Sequence, residues 1–136
     1  MNHETQSDAE LFNSSYDRFL SKPGFLERFY EIFLGSSPEV AEKFRDTDFV
    51  RQTQRLKASL YMLMVASLGT REALQHLKRM AQLHSRKQLN IRPELYDLWL
   101  TSLLKAVAEF DRLFDEKTEQ AWRRVLLPGI DYIKAR

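Results

Sequence analysis

One stretch of the chain predicts the fold more sharply than any other: residues 74–84, which read LQHLKRMAQLH. At 3.6 residues per turn, Leu74, Leu77 and Met80 lie on an apolar stripe along one face of a helix. The next position on that stripe is His84, where another aliphatic residue would be expected. A histidine on an apolar face is more often a core residue with a satisfied hydrogen bond than a metal ligand, so both interpretations stay open at this point.

Composition limits the class of protein to which the chain can belong. It has 136 residues, which is room for one domain, and no cysteine, which removes disulfides, thiolate metal sites and iron–sulfur clusters. A net charge of +2 is too small to indicate a nucleic-acid binder. No apolar run approaches the ~20 residues that span a bilayer. We therefore expect a single cytoplasmic domain over residues 1–136, with residues 1–7 as a mobile tail and neither nucleic acid nor membrane as a partner.

Helix signals recur along the whole chain, and no alternation of period two is visible, so the sequence predicts an all-α fold. Capping residues, prolines and glycines predict seven helices. These cover approximately residues 7–20, 23–35, 38–44, 49–67, 70–84, 93–114 and 116–134. Pro128 and Gly129 are expected to interrupt and kink the last of them.

The three histidines indicate how a metal would be held, if one is bound. His3 lies in the expected tail, and His76 lies ~80° around the helix from the stripe that contains His84. The sequence contains no HExxH pair, GxSxG elbow, P-loop or EF-hand loop. A single axial histidine indicates a metal that is held mainly by another group. Haem is such a group, because it supplies four nitrogens and needs only one protein ligand.

Several segments resemble the globins of bacteria. The segments are FY at 29–30, SPEV at 37–40 followed by Phe44, RLKASL at 55–60, LH at 83–84 and PELY at 93–96. The first two resemble the second helix and the following turn of bacterial haemoglobins. The RLKASL segment resembles the distal helix of the globin domains in globin-coupled sensors. The resemblance extends from about Tyr16 to Tyr132 and is nearest to single-domain sensor-type globins.

The resemblance implies a globin-like fold that holds haem b, iron protoporphyrin IX, with His84 as the proximal ligand of the iron. On the opposite face it implies Tyr30 as the first candidate donor to a bound gas and Ser59 as the second. Gln52 or Gln54 would stand where many globins have a distal histidine. The residues expected to line the haem are Phe33, Phe44, Leu56, Leu60, Leu63, Leu83, Ile91, Leu95, Trp99 and Leu103, with Arg86 near a propionate. Taken singly, each lining residue also fits an ordinary core position, and Arg86 also fits a solvated surface charge.

These expectations lead to a functional hypothesis. The chain is expected to bind a diatomic gas reversibly through haem iron, O2 first and CO or NO as alternatives, for sensing or for storage and scavenging. Two other classes stay open: a haem-dependent NO dioxygenase or peroxidase that uses a separate reductase, and a haem-free globin-like signalling module. Sensor globins usually pair through their last two long helices, which here carry Trp99, Trp122 and Tyr132. We therefore expect a homodimer, and a signalling partner or reductase that the sequence does not identify.

Overall fold

The computed structural model describes residues 7–19, 22–66, 71–83 and 93–134, and these residues form seven α-helices. The helices are α1 (Asp8–Phe19), α2 (Phe25–Leu34), α3 (Pro38–Lys43), α4 (Phe49–Ala66), α5 (Arg71–Leu83), α6 (Pro93–Phe110) and α7 (Glu116–Lys134). These segments contain no strand, which confirms the all-α prediction. None of the seven helices is both long and apolar enough to cross a membrane.

Local capping explains where several helices begin. The backbone N–H of Ser7 donates to Glu10 Oε1, and the N–H of Glu10 donates to Ser7 Oγ, each at 3.1 Å. This is a reciprocal capping box, and it confirms the predicted start of the first helix at Ser7. Residues 1–6 lie outside the described part of the chain. Ser37 caps α3 and Asp48 caps α4 by accepting from the backbone amides of the first turn.

Two helix boundaries differ from the prediction. α2 begins at Phe25 rather than at Pro23, because Gly24 has a left-handed backbone (φ 93°) that keeps Pro23 outside the helix. α6 ends at Phe110 rather than at Phe114. Asp111 ends it, because its carboxylate Oδ1 accepts from the N–H of Leu113 at 3.0 Å and turns the chain away from the helix axis.

The last helix also differs from the prediction, because α7 continues through Pro128. A proline has no N–H to donate to the carbonyl four residues earlier, which belongs here to Arg124. The predicted interruption is therefore wrong.

Aromatic side chains join the helices into one core. α1 packs on α7, where the rings of Phe12 and Trp122 lie 4.4 Å apart between centroids. α2 packs on α6, where Phe29 meets Trp99 edge-on at 6.0 Å. α4 and α5 pack on each other and on α7. The nine phenylalanines of the chain therefore serve mainly to fill helix–helix contacts.

A polar cluster is buried between α1 and the turn that follows α6. Asp111 is only 1% exposed; it accepts from Ser15 Oγ at 2.6 Å and pairs with the guanidinium of Arg18, whose Nη2 lies 2.8 Å from Oδ2. Trp122 Nε1 donates to Ser15 Oγ at 3.0 Å. Burial alone would raise the pKa of Asp111, but the hydrogen bonds from Arg18 and Ser15 outweigh it and hold that pKa below its ordinary range. The cluster therefore fixes the α6–α7 turn against α1.

The edge of the predicted apolar stripe on α5 is not buried. Leu74 is 49% exposed. It lies at the border of the stripe, so it contacts water although its spacing fits a core position.

Candidate functional site

Tyr30 on α2 lies inside a group of aromatic rings. It is 5% exposed, and its ring centroid lies 4.8 Å from Phe29, 5.2 Å from Phe49 and 6.3 Å from Phe44. Burial raises the pKa of Tyr30 to about 12, so the phenol keeps its hydrogen at physiological pH. Tyr30 is therefore part of the buried core.

Gln52 on α4 is the hydrogen-bond partner of Tyr30. This hydrogen bond lowers the pKa of the phenol, against the effect of burial. Gln52 is half-buried, so its side-chain amide lies at the inner side of α4, next to the Tyr30 phenol. Gln54 is exposed, so of the two glutamines only Gln52 faces this site.

The other predicted residues of α4 lie on the same side of that helix as Gln52. Leu56 and Leu60 are buried. Ser59 is half-buried and lies seven residues after Gln52, two turns along the same face. The structure therefore brings Tyr30 and Gln52 together and places Ser59 two turns further along the same face of α4.

Seven of the predicted lining residues belong to a single hydrophobic core. They are Phe33, Phe44, Leu56, Leu60, Leu95, Trp99 and Leu103. Phe33 and Phe44 lie 5.6 Å apart between ring centroids, edge to face. Phe44 and Trp99 remain half-buried, whereas the other five are buried. These positions form an apolar environment on α2, α4 and α6 and at the end of α3.

The structure does not describe the side chains of the remaining predicted residues. His84, Arg86 and Ile91 lie outside the described residues. Leu63 and Leu83 lie on α4 and α5, but their side chains are likewise outside the description. Their roles stay predictions, the iron-ligand role of His84 above all.

Tyr96 is a candidate site residue that the sequence reasoning missed. The residue is half-buried, yet its hydroxyl oxygen is fully buried, so the phenol points into the protein. Within the described part of the chain this oxygen has no hydrogen-bond partner, and burial raises the pKa of Tyr96 to about 12. Tyr96 shares the face of α6 that carries Leu100 and Leu103, both buried. The available signal was a tyrosine in the first turn of a helix on an otherwise aliphatic stripe.

Comparison with known proteins agrees with this arrangement of helices. The sequence profile of the globin family, described as Globin, matches residues 27–127. A solved structure from Pseudomonas aeruginosa PAO1, described as structurally highly homologous to a human hemoglobin, is 43% identical and superposes with a TM-score of 0.90. That match covers 95% of this chain and 97% of the other. No curated protein gives a significant match. The chain is a member of the globin family and has the all-α globin fold.

Proposed function

We propose that this protein is a haem-binding globin that binds a diatomic gas reversibly, with O2 as the first candidate and CO and NO as alternatives. His84 is the proposed iron ligand, and Tyr30, oriented by Gln52, is the proposed donor to the gas. The protein is proposed to act as a single domain in sensing, storage or scavenging. Globin membership supports haem as the cofactor, with haem b as the proposed form.

The residues present fit a haem. A porphyrin is a large apolar plate with two carboxylates at its edge, so it needs an apolar slot and polar groups near that edge. Phe44 and Trp99, half-buried beside buried aliphatic residues, suit the plate. Tyr96 suits the edge, because its buried hydroxyl lacks an acceptor among the described residues and a haem carboxylate is an acceptor. When bound, haem would supply an iron that can coordinate a gas.

Tyr30 would select among gases by charge. O2 gains partial negative charge on binding, and a hydrogen bond from a neutral phenol to it contributes about 1–3 kcal/mol. CO gains less charge and so benefits less. The Tyr30 phenol, buried among Phe29, Phe44 and Phe49 with Gln52 beside it, is the single observation that carries this proposal.

The proposed iron ligand is tested by absorption spectroscopy. The wild-type chain expressed with haem available is expected to show an intense near-ultraviolet absorption band, and His84→Ala is expected to lose or shift it. His76→Ala is the matched control, since it removes a histidine eight positions earlier in the sequence, and it should keep the wild-type spectrum. An unaltered spectrum in His84→Ala would remove His84 as the ligand. A colourless wild-type protein would support the haem-free alternative.

The gas contact is tested by the rate of O2 release. Tyr30→Phe is expected to release O2 several-fold faster while haem content and CO release change little. Gln52→Leu should give a smaller change in the same direction. Tyr61→Phe, which removes a hydroxyl from an exposed position of α4, is the control. Equal off-rates in Tyr30→Phe and wild type would exclude Tyr30 as the donor.

A homodimer through α6 and α7 is part of the proposal. Trp122 is fully buried against α1, so it does not lie on such an interface, whereas Trp99 and Tyr132 are half-buried. Light scattering at micromolar concentration should give twice the monomer mass. A monomer under those conditions would contradict the dimer.

A further inference from the structure

The first turn of α4 makes two contacts with Tyr30, and only one of them was predicted. Phe49 begins α4, and its ring lies edge-on to the Tyr30 ring, with the planes at 66° and the centroids 5.2 Å apart. Gln52 follows three residues later on the same face of the helix and is hydrogen-bonded to the Tyr30 phenol. No role was predicted for Phe49.

Phe49 lies on the solvent side of Tyr30. Three ring contacts are described for Tyr30, with Phe29, Phe44 and Phe49. Phe29 is fully buried, whereas Phe44 and Phe49 are half-buried and so form the side of this group that faces water. Phe49 is nearer to Tyr30 than Phe44 is, at 5.2 Å against 6.3 Å between centroids. The low exposure of Tyr30, 5%, therefore depends on Phe49 in particular.

The two half-buried rings have different surroundings. Phe44 also packs edge-on against Phe33, at 5.6 Å between centroids, so it belongs to the apolar environment proposed for haem. The ring contacts described for Phe49 are with Tyr30 and Phe44, and the second is nearly parallel, with the planes at 24°. Removal of the Phe49 ring should therefore uncover Tyr30 and leave the Phe33–Phe44 contact in place.

Hydrogen bonds at the start of α4 fix the direction of the Phe49 side chain. Asp48 Oδ1 accepts from the backbone N–H of Val50 at 3.1 Å and of Arg51 at 3.4 Å, and the Asp48 carbonyl accepts from the N–H of Gln52 at 3.0 Å. In a turn fixed in this way, Phe49 is directed inward, and its neighbour Val50 is 72% exposed. Val50 therefore offers a matched control in the same turn.

We propose that Phe49 is a positioning residue of the gas site: its ring excludes water from the Tyr30 phenol and keeps that phenol directed at the bound gas. This inference rests on the proposed function, in which Tyr30 donates to O2. A phenol that water can reach donates to water as well, and a hydrogen bond to a partly charged acceptor is weaker where the local dielectric constant is high. Loss of the Phe49 ring weakens the hydrogen bond to O2, although the Tyr30 hydroxyl is still present.

The first test measures gas release from the haem-loaded protein. Phe49→Ala is expected to release O2 several-fold faster than wild type, with little change in CO release. Val50→Ala should keep the wild-type rate. In a Tyr30→Phe background, Phe49→Ala should change the O2 rate little, because the donor on which it acts is already absent. Equal acceleration in both backgrounds, or no acceleration in either, would overturn the proposal.

The second test measures how well water reaches the phenol. The chain is labelled with 3-fluorotyrosine, and fluorine NMR of the haem-loaded protein under CO follows the titration of Tyr30, whose signal is the one missing in Tyr30→Phe. In wild type, burial should raise the pKa of this phenol above that of free N-acetyl-3-fluorotyrosinamide. Phe49→Ala should reduce that difference by about half or more, and Val50→Ala should leave it unchanged. An unchanged difference in Phe49→Ala would contradict the exclusion of water.

Two further variants separate positioning from a general loosening of the fold. Phe49→Leu keeps an apolar side chain at the same place and should restore most of the wild-type behaviour in both tests. Phe12→Leu disturbs the core between α1 and α7, where Phe12 contacts Tyr16 and Trp122, and it should change neither measurement. Faster O2 release in Phe12→Leu as well would assign the effect to lost stability and overturn the proposal. Circular dichroism establishes that each variant is helical.

Haem content, measured first, separates this inference from the proposed function on which it rests. A wild-type protein that takes up no haem defeats the proposed function. A wild-type protein that takes up haem and releases O2 no more slowly than Phe49→Ala defeats the role of Phe49 alone.

Discussion

Two regions of this globin are held together in different ways. The ion pairs described between helices or their adjoining turns tie α1, α2, α6 and α7 together: Arg18–Asp111, Arg28–Glu109, Arg124–Asp8 and Lys134–Asp97. On α4 and α5 the described ion pair is Arg51 with Asp48, a residue three positions before it. Acidic side chains are thus used to join the first region, whereas the second keeps its cations exposed.

We call the first region, α1, α2, α6 and α7, the scaffold, and the second region, α4 and α5, the surface region. In the first region, buried aromatic rings and the Asp111 cluster fix helix positions without any cofactor. The second region carries Gln52 toward the proposed gas site and exposes its cationic side chains to solvent. We therefore expect substitutions in the scaffold to change the free energy of unfolding, and substitutions at exposed positions of α4 and α5 to change it little. The following predictions test that division.

The largest effect is expected from Trp122→Ala. The Trp122 side chain is fully buried, touches Phe12 and Phe19, and donates to Ser15. Removing it should reduce the free energy of unfolding by about 4 kcal/mol, measured by urea titration. Leu74→Ala on α5 is the control and should change stability by less than about 0.5 kcal/mol. Similar losses in the two variants would contradict a division between scaffold and surface.

Asp111→Asn should have the next largest effect. It removes the buried carboxylate that pairs with the half-buried guanidinium of Arg18, which costs about 3 kcal/mol of unfolding free energy. Glu109→Gln breaks the exposed pair with Arg28 and serves as the control. It should cost clearly less, because solvent screens that pair. Equal losses would show that burial does not matter for these pairs.

Acid should weaken the scaffold through the same carboxylate. The pKa of Asp111 lies below its ordinary value of 3.8, so the folded state binds that proton less readily than the unfolded chain does. The stabilisation is therefore complete above the ordinary pKa and is lost as the pH falls through the folded value, from about pH 5 downward. Urea titrations across this range should show a shallower decline for Asp111→Asn than for wild type. The pKa values of Glu10, Glu109 and Asp115 are also lowered, so some decline should persist. Parallel curves for the two proteins would contradict the role of Asp111.

Tyr96→Phe should give the smallest effect, with opposite signs in two measurements. Without haem, removing a buried hydroxyl that lacks a partner should raise the free energy of unfolding by about 1 kcal/mol. With haem, loss of a hydrogen bond to a haem carboxylate should speed haem transfer to an acceptor protein several-fold. Tyr132→Phe, on α7, is the control. If Tyr96→Phe stabilises the protein and leaves haem transfer unchanged, the hydroxyl does not contact the cofactor.

The sequence predicted those helix starts that depend on local hydrogen bonds. Ser7, Ser37 and Asp48 cap the helix that follows them, so neighbouring residues contain the information. The end of α6 could not be predicted in this way. Asp111 turns the chain there while bonded to Arg18, which lies 93 positions earlier in the sequence. Tertiary contacts of this kind are not visible in a local pattern.

The candidate site could be predicted only in part, because it also depends on tertiary contacts. Tyr30 followed from a family resemblance, but the choice between Gln52 and Gln54 depended on the turn after α3, and only the fold shows that Gln52 faces Tyr30. Tyr96 was missed because a tyrosine on an aliphatic stripe has the spacing of a core residue. His84 remains a prediction.

The burial of Trp122 gives the protein an internal optical probe. An indole in an apolar environment fluoresces at shorter wavelength than one in water, and the other tryptophan, Trp99, lies among the proposed haem contacts. A porphyrin quenches nearby tryptophans by energy transfer. Loading with haem should therefore lower the intensity of tryptophan emission, whereas unfolding should shift that emission to longer wavelength. In a Trp99→Phe background, a single fluorophore then reports on the α1–α7 contact alone.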